Sequence, residues 1–465
     1  MTTQTPGPVD KVIRGGTVVT TEETFQGSIA IDDEKIVAVG SESALPPANE
    51  TIDATNKIVL PGVVDPHVHT CDSSSIDTYE TVTKAAALGG VTTFINFAWE
   101  GWEGNGSYHS PDTSLLDGIE YCIEASDEAV VDYSVHGTLA TERMETLELI
   151  ESAVDMGVTS FKMFTAYEFG LSNGYIEQVL EELATLDAVG LVHTEDNDVC
   201  NRRTERLKNE EKGESVYYPM SRPDYAEAMA AEDVVRMAKE SGAKYYGVHT
   251  TSRKSAEVID AFRADGSQVR AETCTHYTVY DDSIYDRLGN LPMIAPPIRN
   301  KEDREAMFDY IRNGTFDVVS TDHCAYTAES KQTENWWESS FGVNSIQTSF
   351  EVFHDVAINE QGLSYPTLVR LMCANPAQTF GLSEKGTLQP GTDADIVVFD
   401  PNATRVIDPV NNASKADFSI YEGREVTGCI EKTLVRGELV ADNGEIVAGP
   451  GFGTFVERDR PDWHN

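Results

Sequence analysis

Val63-Val64-Asp65-Pro66-His67-Val68-His69, the stretch Thr78 to Leu88, and then Thr92-Thr93-Phe94-Ile95-Asn96-Phe97 together decide how this chain folds. The first and last parts are short apolar runs of strand length, and the middle part is helix-like. Strand, helix, strand in that order is a βαβ unit, which calls for parallel strands. The pattern then recurs. Further strands are expected at Tyr133–Leu139, Thr159–Phe164, Leu191–Thr194, Tyr245–His249, Val269–Thr273 and Asp317–Ser320, with helices at Ile176–Leu186, Ala226–Lys239 and Glu257–Ala264. From about Leu60 to Leu382 there is room for eight βα units of ~35–40 residues, the size of a TIM barrel with insertions.

Outside that span the texture changes. Lys11–Thr20, Ser28–Ile31, Lys35–Val39 and Lys57–Leu60 read as short strands broken by turns, as do Asp395–Phe399 and Lys432–Asp442 among Gly386, Gly391, Gly437 and Gly444. The expected fold is therefore α/β: a (β/α)8 barrel over 61–382 and a small β-sandwich made from 1–60 and 383–465, the latter including a C-terminal tail.

The chain has 465 residues, with 78 acidic and 35 basic side chains and a formal charge of −43. That charge repels phosphate backbones and anionic membranes, so neither nucleic acid nor a membrane is expected as a partner. No apolar run approaches the ~18 residues of a membrane span. Met1 to Asp10 is polar, so no secretory signal is expected. Seven scattered cysteines, never in a Cys-x-x-Cys pair, argue against disulfides and thiolate zinc, and for a reduced, cytoplasmic protein. The acids are spread along the chain rather than gathered in a tail. Solvation in a salt-rich cytoplasm, hence a halophilic source, is the expectation.

The chemistry starts at the opening strand. Alternate side chains share a face, so Asp65, His67 and His69 point the same way, and two imidazoles so spaced can grip a metal ion. Alone, they could equally be strand histidines with ordinary hydrogen bonds. Partners stand at other strand ends: His193 in Leu191-Val192-His193, His249 in Gly247-Val248-His249, and Asp322 after Val318-Val319-Ser320-Thr321. In a barrel the carboxyl ends of all strands face one mouth, where residues remote in sequence converge. Lys162, inside the apolar run Phe161-Lys162-Met163-Phe164, is out of place because burying an ammonium is costly. It could snorkel or pair with an acid. Alternatively, desolvation beside cations would leave a neutral amine able to capture carbon dioxide as a carbamate, an anion with two oxygens for two metals.

With these residues in place, the chain resembles the dihydropyrimidinase/hydantoinase branch of the amidohydrolase superfamily over nearly its whole length. The resemblance extends to Ala86-Ala87-Leu88-Gly89-Gly90, Phe161-Lys162-Met163-Phe164-Thr165-Ala166-Tyr167, Ser221-Arg222-Pro223, Glu272-Thr273-Cys274, Pro296-Pro297-Ile298-Arg299, Thr321-Asp322-His323-Cys324 and Asn375-Pro376-Ala377. It continues through Gly391-Thr392-Asp393-Ala394-Asp395 and Asp417-Phe418-Ser419-Ile420-Tyr421-Glu422-Gly423.

The resemblance implies two divalent ions, one on His67, His69 and Asp322, the other on His193 and His249, with carbamylated Lys162 bridging. Zinc suits imidazole and oxygen ligands best, though manganese or cobalt could occupy the same set. The implied reaction is hydrolytic ring opening of a dihydropyrimidine or hydantoin by a metal-bridging hydroxide, with Asp322 moving the proton. Tyr167 matches the family tyrosine that hydrogen-bonds the developing oxyanion. Backbone near the residues matching Ala295 and Asn344 holds the substrate's amide edge, and Ala295 stands where the family usually has serine. Relatives are usually tetramers, so a homo-oligomer is implied.

Rivals remain open. Dihydroorotases carry arginine at the place of Cys71, and allantoinases usually carry asparagine there and lack the tyrosine matching Tyr167. A non-catalytic scaffold relative is the alternative of another class, but all six ligand positions are intact. Among other conspicuous residues, His136, His323 and His354 are expected to be structural. His276 is a candidate for the pocket lining, and Trp99, Trp102, Trp336 and Trp337 for apolar pocket walls or equally for surface or interface packing. Cys71 and Cys324 are expected near the metals but not as ligands, because imidazole and carboxylate already fill the set.

Overall fold

A computed structural model of the chain describes residues 7–72, 74–104 and 109–463, so the first six residues of the polar opening stretch lie outside it. Eight strands form one sheet whose neighbours all pair in parallel. In chain order they are Val63–Val68, Val91–Trp99, Asp132–Thr138, Ser160–Phe164, Val189–His193, Lys244–Gly247, Val269–Cys274 and Val318–Ser320. Each expected strand is present, its ends shifted by one or two residues. Nearly every residue in them is buried, as parallel strands covered by helices must be.

The first and last strands close the barrel just beyond their ends. The His69 amide donates to the His323 carbonyl at 2.8 Å, and Thr321 Oγ1 donates to Asp65 Oδ2 at 2.5 Å. Asp65 is thus used in the clasp, and burial pushes its carboxyl up to about 7.

Helices follow the strands and start where the sequence supplies caps. Ser114, Ser172, Asp196, Ser252 and Asn300 each accept a backbone N–H of the first turn, a device worth ~1 kcal/mol. Among the described residues no helix is long and apolar enough to cross a membrane.

Nine strands from the two ends of the chain form the second sheet. Ile58–Pro61 pairs antiparallel with Ile396–Phe399, which joins the amino-terminal to the carboxyl-terminal strands. Ile13, Ile29 and Ile31 from one side share a core with Ile396, Val398 and Leu434 from the other. A strand at Ala48–Asp53, absent from the sequence reading, pairs parallel with the first strand, Val9–Val19. Lys432–Asp442, read as one strand, is a hairpin between Glu425–Val435 and Glu438–Asp442. The reason is local: Arg436 and Gly437 both take positive φ, the geometry of a two-residue hairpin turn.

The final segment returns to the barrel. The Tyr133 amide donates to the Thr454 carbonyl and the Val456 amide to the Tyr133 carbonyl, and Arg458 enters beneath the strands, donating to Ser134 Oγ at 2.9 Å and Ser160 Oγ at 2.6 Å. Burial draws its guanidinium down to about 9.

Candidate active site

All six expected ligand residues come together at the carboxyl mouth of the barrel. His67 lies in the first strand and His69 one residue past its end; Lys162 is central in Ser160–Phe164; His193 ends Val189–His193. His249 and Asp322 lie two residues past their strands, both at positive φ (34° and 46°). The sequence reading ran that sixth strand to His249. It ends at Gly247, and the His249 amide bonds the side-chain Oε1 of Glu272 at 3.0 Å instead of a backbone carbonyl of the neighbouring strand. Tyr167 (φ 75°) is a third left-handed residue here, and such strained non-glycine positions cluster at functional sites.

Ligating atoms of His67, His69 and Asp322 all lie within 4.8 Å of one another, a set able to hold a metal ion. Asp322 Oδ1 is 3.2 Å from His67 Nε2 and 3.5 Å from His69 Nε2. Opposite them, His193 Nδ1 faces His249 Nε2 at 3.0 Å. Lys162 Nζ sits 5.1 Å from the ring centroids of Phe97 and Phe164, and burial brings its amine down to about 8.

Buried carboxylates aim three of these imidazoles. Glu272 Oε1 takes His67 Nδ1 at 2.5 Å, Asp72 Oδ2 takes His69 Nδ1 at 3.0 Å, and Glu195 Oε2 takes His193 Nε2 at 2.8 Å. Each contact fixes a ring and frees its other nitrogen toward the centre, as outer partners of metal-binding histidines do. Arg222 in turn bonds Glu195. Asp72, Glu195, Glu272 and Arg222 received no role from sequence. Arg222 and Glu272 stand in stretches quoted for the resemblance, but charged side chains are too common for sequence alone to select them.

Electrostatics suit cation binding. Burial holds His67, His193 and His249 below the usual imidazole range, so they are neutral ligands. Burial opposes ionisation of Asp322 and Glu195, yet the histidines against Asp322 and Arg222 against Glu195 hold both at about 2. His67 Nε2 and His249 Nδ1 are buried without a hydrogen-bond partner. The orphaned His67 Nε2, 3.2 Å from the ionised Asp322 carboxylate, is costly alone and fits a divalent ion.

The site opens into a cavity of about 360 Å³, within the range of small-molecule pockets. Its walls include Trp99, Phe164, Tyr167, Phe169, Tyr326 and Phe341. The Tyr167 ring is 5.0 Å from that of His193 and carries the Arg222 guanidinium 5.1 Å from its centroid. Burial pushes its phenol well above its ordinary value, so it stays protonated. Ala295 lines the cavity. Asn344 does not: Phe341 and Gly342 line it, whereas Asn344 belongs to a separate small cleft with His323, its Oδ1 buried and unbonded.

Of the remaining candidates, Trp99 and Cys324 line the cavity. Trp102 packs on Trp99, and Trp336 packs on Tyr218 in a separate core. His136, His323 and His354 are engaged by Ser160 and Pro66, by Asp77, and by Thr427 and Tyr365 respectively. His276 is buried with neither ring nitrogen bonded and is not among the cavity's lining residues.

Known proteins match along the whole chain. Residues 58–440 match the model of the amidohydrolase family. A D-hydantoinase of Ralstonia pickettii is 32% identical over 97% of this chain and 99% of its own, and an allantoinase of Salmonella choleraesuis (strain SC-B67) is 30% identical over 96% and 98%. A dihydropyrimidinase from Brevibacillus agri NCHU1002 superposes with a TM-score of 0.91 at 30% identity, covering 97% of this chain and 99% of that one. A barrel with this mouth and these relatives belongs to the amidohydrolase family.

Proposed function

We propose that this chain is a hydrolase that opens the ring of a cyclic amide or ureide, a hydantoin or dihydropyrimidine. One observation carries the reading: four imidazoles, an aspartate and a desolvated lysine face one another at the floor of an aromatic cavity. His67, His69 and Asp322 would hold one divalent ion and His193 and His249 another, with zinc favoured by the donor set. Lys162, carboxylated on Nζ by carbon dioxide with loss of one proton, would be shared by both. Divalent ions so held supply Lewis acidity toward an amide carbonyl and lower the pKa of water from ~15.7 towards ~7.

This chain's own groups do the rest. Asp322 accepts the proton of the attacking water and passes it to the departing ring nitrogen. Tyr167, kept protonated by its burial, donates a hydrogen bond to the oxygen that gains charge. Backbone around Ala295, with the segment before Asn344 at Phe341–Gly342, faces the cavity where the amide edge would rest. The aromatic walls exclude bulk water.

The Tyr167→Phe variant is expected to lose about 10²-fold in kcat with KM within about threefold, since its hydrogen bond strengthens only as charge develops. Steady-state kinetics on metal-loaded protein decide it. Turnover of hydantoin, dihydrouracil and allantoin with metal quantified in the same sample tests the whole reading. Opening of allantoin alone would establish the allantoinase alternative, which the Salmonella relative keeps in play, and a metal-free inactive protein would establish a scaffold.

The proposal extends to a homotetramer in a reducing, salt-rich cytoplasm. All seven cysteines are free, and the charge of −43 is repulsive within the fold. Salt at ~1 M shortens the Debye length to ~3 Å, so Tm is expected to rise by at least about 5 °C between low and molar salt. A flat melting profile removes the halophilic assignment, and light scattering reads the tetramer directly.

A further inference from the structure

Lys331 is fully buried, yet among the described residues no carboxylate lies within ion-pair distance of it. Its Nζ donates instead to three backbone carbonyls: Met293 at 2.8 Å, Ser340 at 3.0 Å and Gly342 at 2.5 Å. An ammonium carries three N–H donors, so the count of donors and acceptors is closed. The surroundings are otherwise apolar, with the rings of Tyr326 and Phe418 at 5.6 and 5.8 Å. Burial draws the amine down to about 7. A lysine is expensive here, and a methionine would fill the same space.

What the three carbonyls have in common is their place in the chain. Met293 precedes Ile294 and Ala295, Ser340 precedes Phe341, and Gly342 itself lines the cavity, as do those three neighbours. The Gly342 amide also donates to the Met293 carbonyl at 2.8 Å, so the two segments are tied to each other as well as to Lys331. Gly342 adopts φ +144°, and a Cβ there would lie 2.4 Å from Cys324 Cβ, so this wall leaves no room for adjustment by side-chain packing. Among the described residues no strand of the two sheets runs along it; the Tyr218 hydroxyl holds the Ile294 carbonyl at 2.7 Å, and Lys331 ties the two segments to each other.

We infer that Lys331 is a positioning residue, which fixes the cavity wall at Ile294–Ala295 and Phe341–Gly342 so that its backbone can hold the amide edge of the ring. The inference rests on the cyclic-amide reading above. It assigns Lys331 to substrate binding rather than to bond breaking. Losing its three donors lets the wall relax, which weakens binding of ground state and transition state alike.

The test is the Lys331→Met variant, purified and metal-loaded, assayed on whichever of hydantoin, dihydrouracil or allantoin the wild type opens. KM is expected to rise about tenfold while kcat per metal-loaded chain stays within about threefold. A lysine that only stabilises the fold would lower Tm and yield and leave KM alone; an unchanged KM overturns the inference. If Lys331→Met does not fold, Lys331→Gln, with two donors for three carbonyls, decides in the same assay. A KM raised at least about threefold supports the inference and an unchanged one overturns it. A wild type that opens none of the rings sinks the cyclic-amide reading and this inference with it, whereas an active wild type with an insensitive KM sinks only the role of Lys331.

Discussion

The Lys162→Ala variant is expected to bind at most one metal ion per chain in place of two and to lose at least about 10³-fold in kcat. Charge drives the expectation. Burial holds three of the four imidazoles around the site below their usual range, whereas for the fourth, His69, Asp72 and Asp322 outweigh burial and raise it to about 9, so it must give up its proton to ligate a metal. Asp322 then supplies the single anionic donor at the centre, against four positive charges of two divalent ions. On the proposed reading, a carboxylated Lys162 would add the second anion. Phe97 and Phe164, whose ring centroids flank its Nζ at 5.1 Å, offer no donor in its place. Metal analysis of the purified variant, read beside its turnover, checks both halves. Two bound ions with activity within tenfold of wild type would refute a ligating role for Lys162.

The second large effect concerns how the barrel is fastened to the outer sheet. Lys385 is buried and its Nζ lies 2.6 Å from Asp132, 2.8 Å from Asp393 and 3.0 Å from Asp395. Asp132 begins the third barrel strand and also takes Arg436 and the Thr454 amide; Asp395 immediately precedes the outer strand Ile396–Val406. Burial pushes Asp132 up, but Lys385 and Arg436 overcome it and hold the carboxyl below its usual range. Lys385→Met therefore strands buried carboxylates together, which costs about 3–5 kcal/mol for a broken buried pair. The variant is expected to unfold at a clearly lower denaturant concentration. Adding Asp395→Asn should recover part of the loss, because it removes one of the carboxylates left unpaired. A Lys385→Met protein as stable as wild type would show that the network adds nothing beyond its own desolvation.

Much of this architecture was legible in the sequence, for physical reasons that differ from place to place. The eight barrel strands announced themselves because strands covered on both faces must be continuous apolar runs. Lys162 stood out against that background, and the histidines fell at strand ends. The carboxylates behind them did not stand out. Glu272 touches His67, the His249 amide and Tyr246 from a neighbouring strand, a convergence that only the folded chain reveals. Lys331 lies in the polar run Glu329-Ser330-Lys331-Gln332, where nothing local marks it as buried. Asn344 enters only through the resemblance; it lies in a neighbouring cleft, two residues beyond Gly342, which lines the cavity with Phe341. The hairpin at Arg436-Gly437 was passed over because both flanks carry the same strand-like composition.

The pairing of Ile58–Pro61 with Ile396–Phe399 sets a timetable for the nascent chain. The first sixty residues leave the ribosome long before their outer neighbours exist, with the whole barrel still to be made. At ~5–20 residues per second that interval is roughly 20–70 s. Throughout it, Ile58–Pro61 offers an unpaired edge, and Ile13, Ile29 and Ile31 have only half of their hydrophobic surroundings. The enclosed barrel is thus completed between two halves of a sheet that must find each other across it, and the slow elongation step, rather than the barrel, governs how long this protein stays open to aggregation.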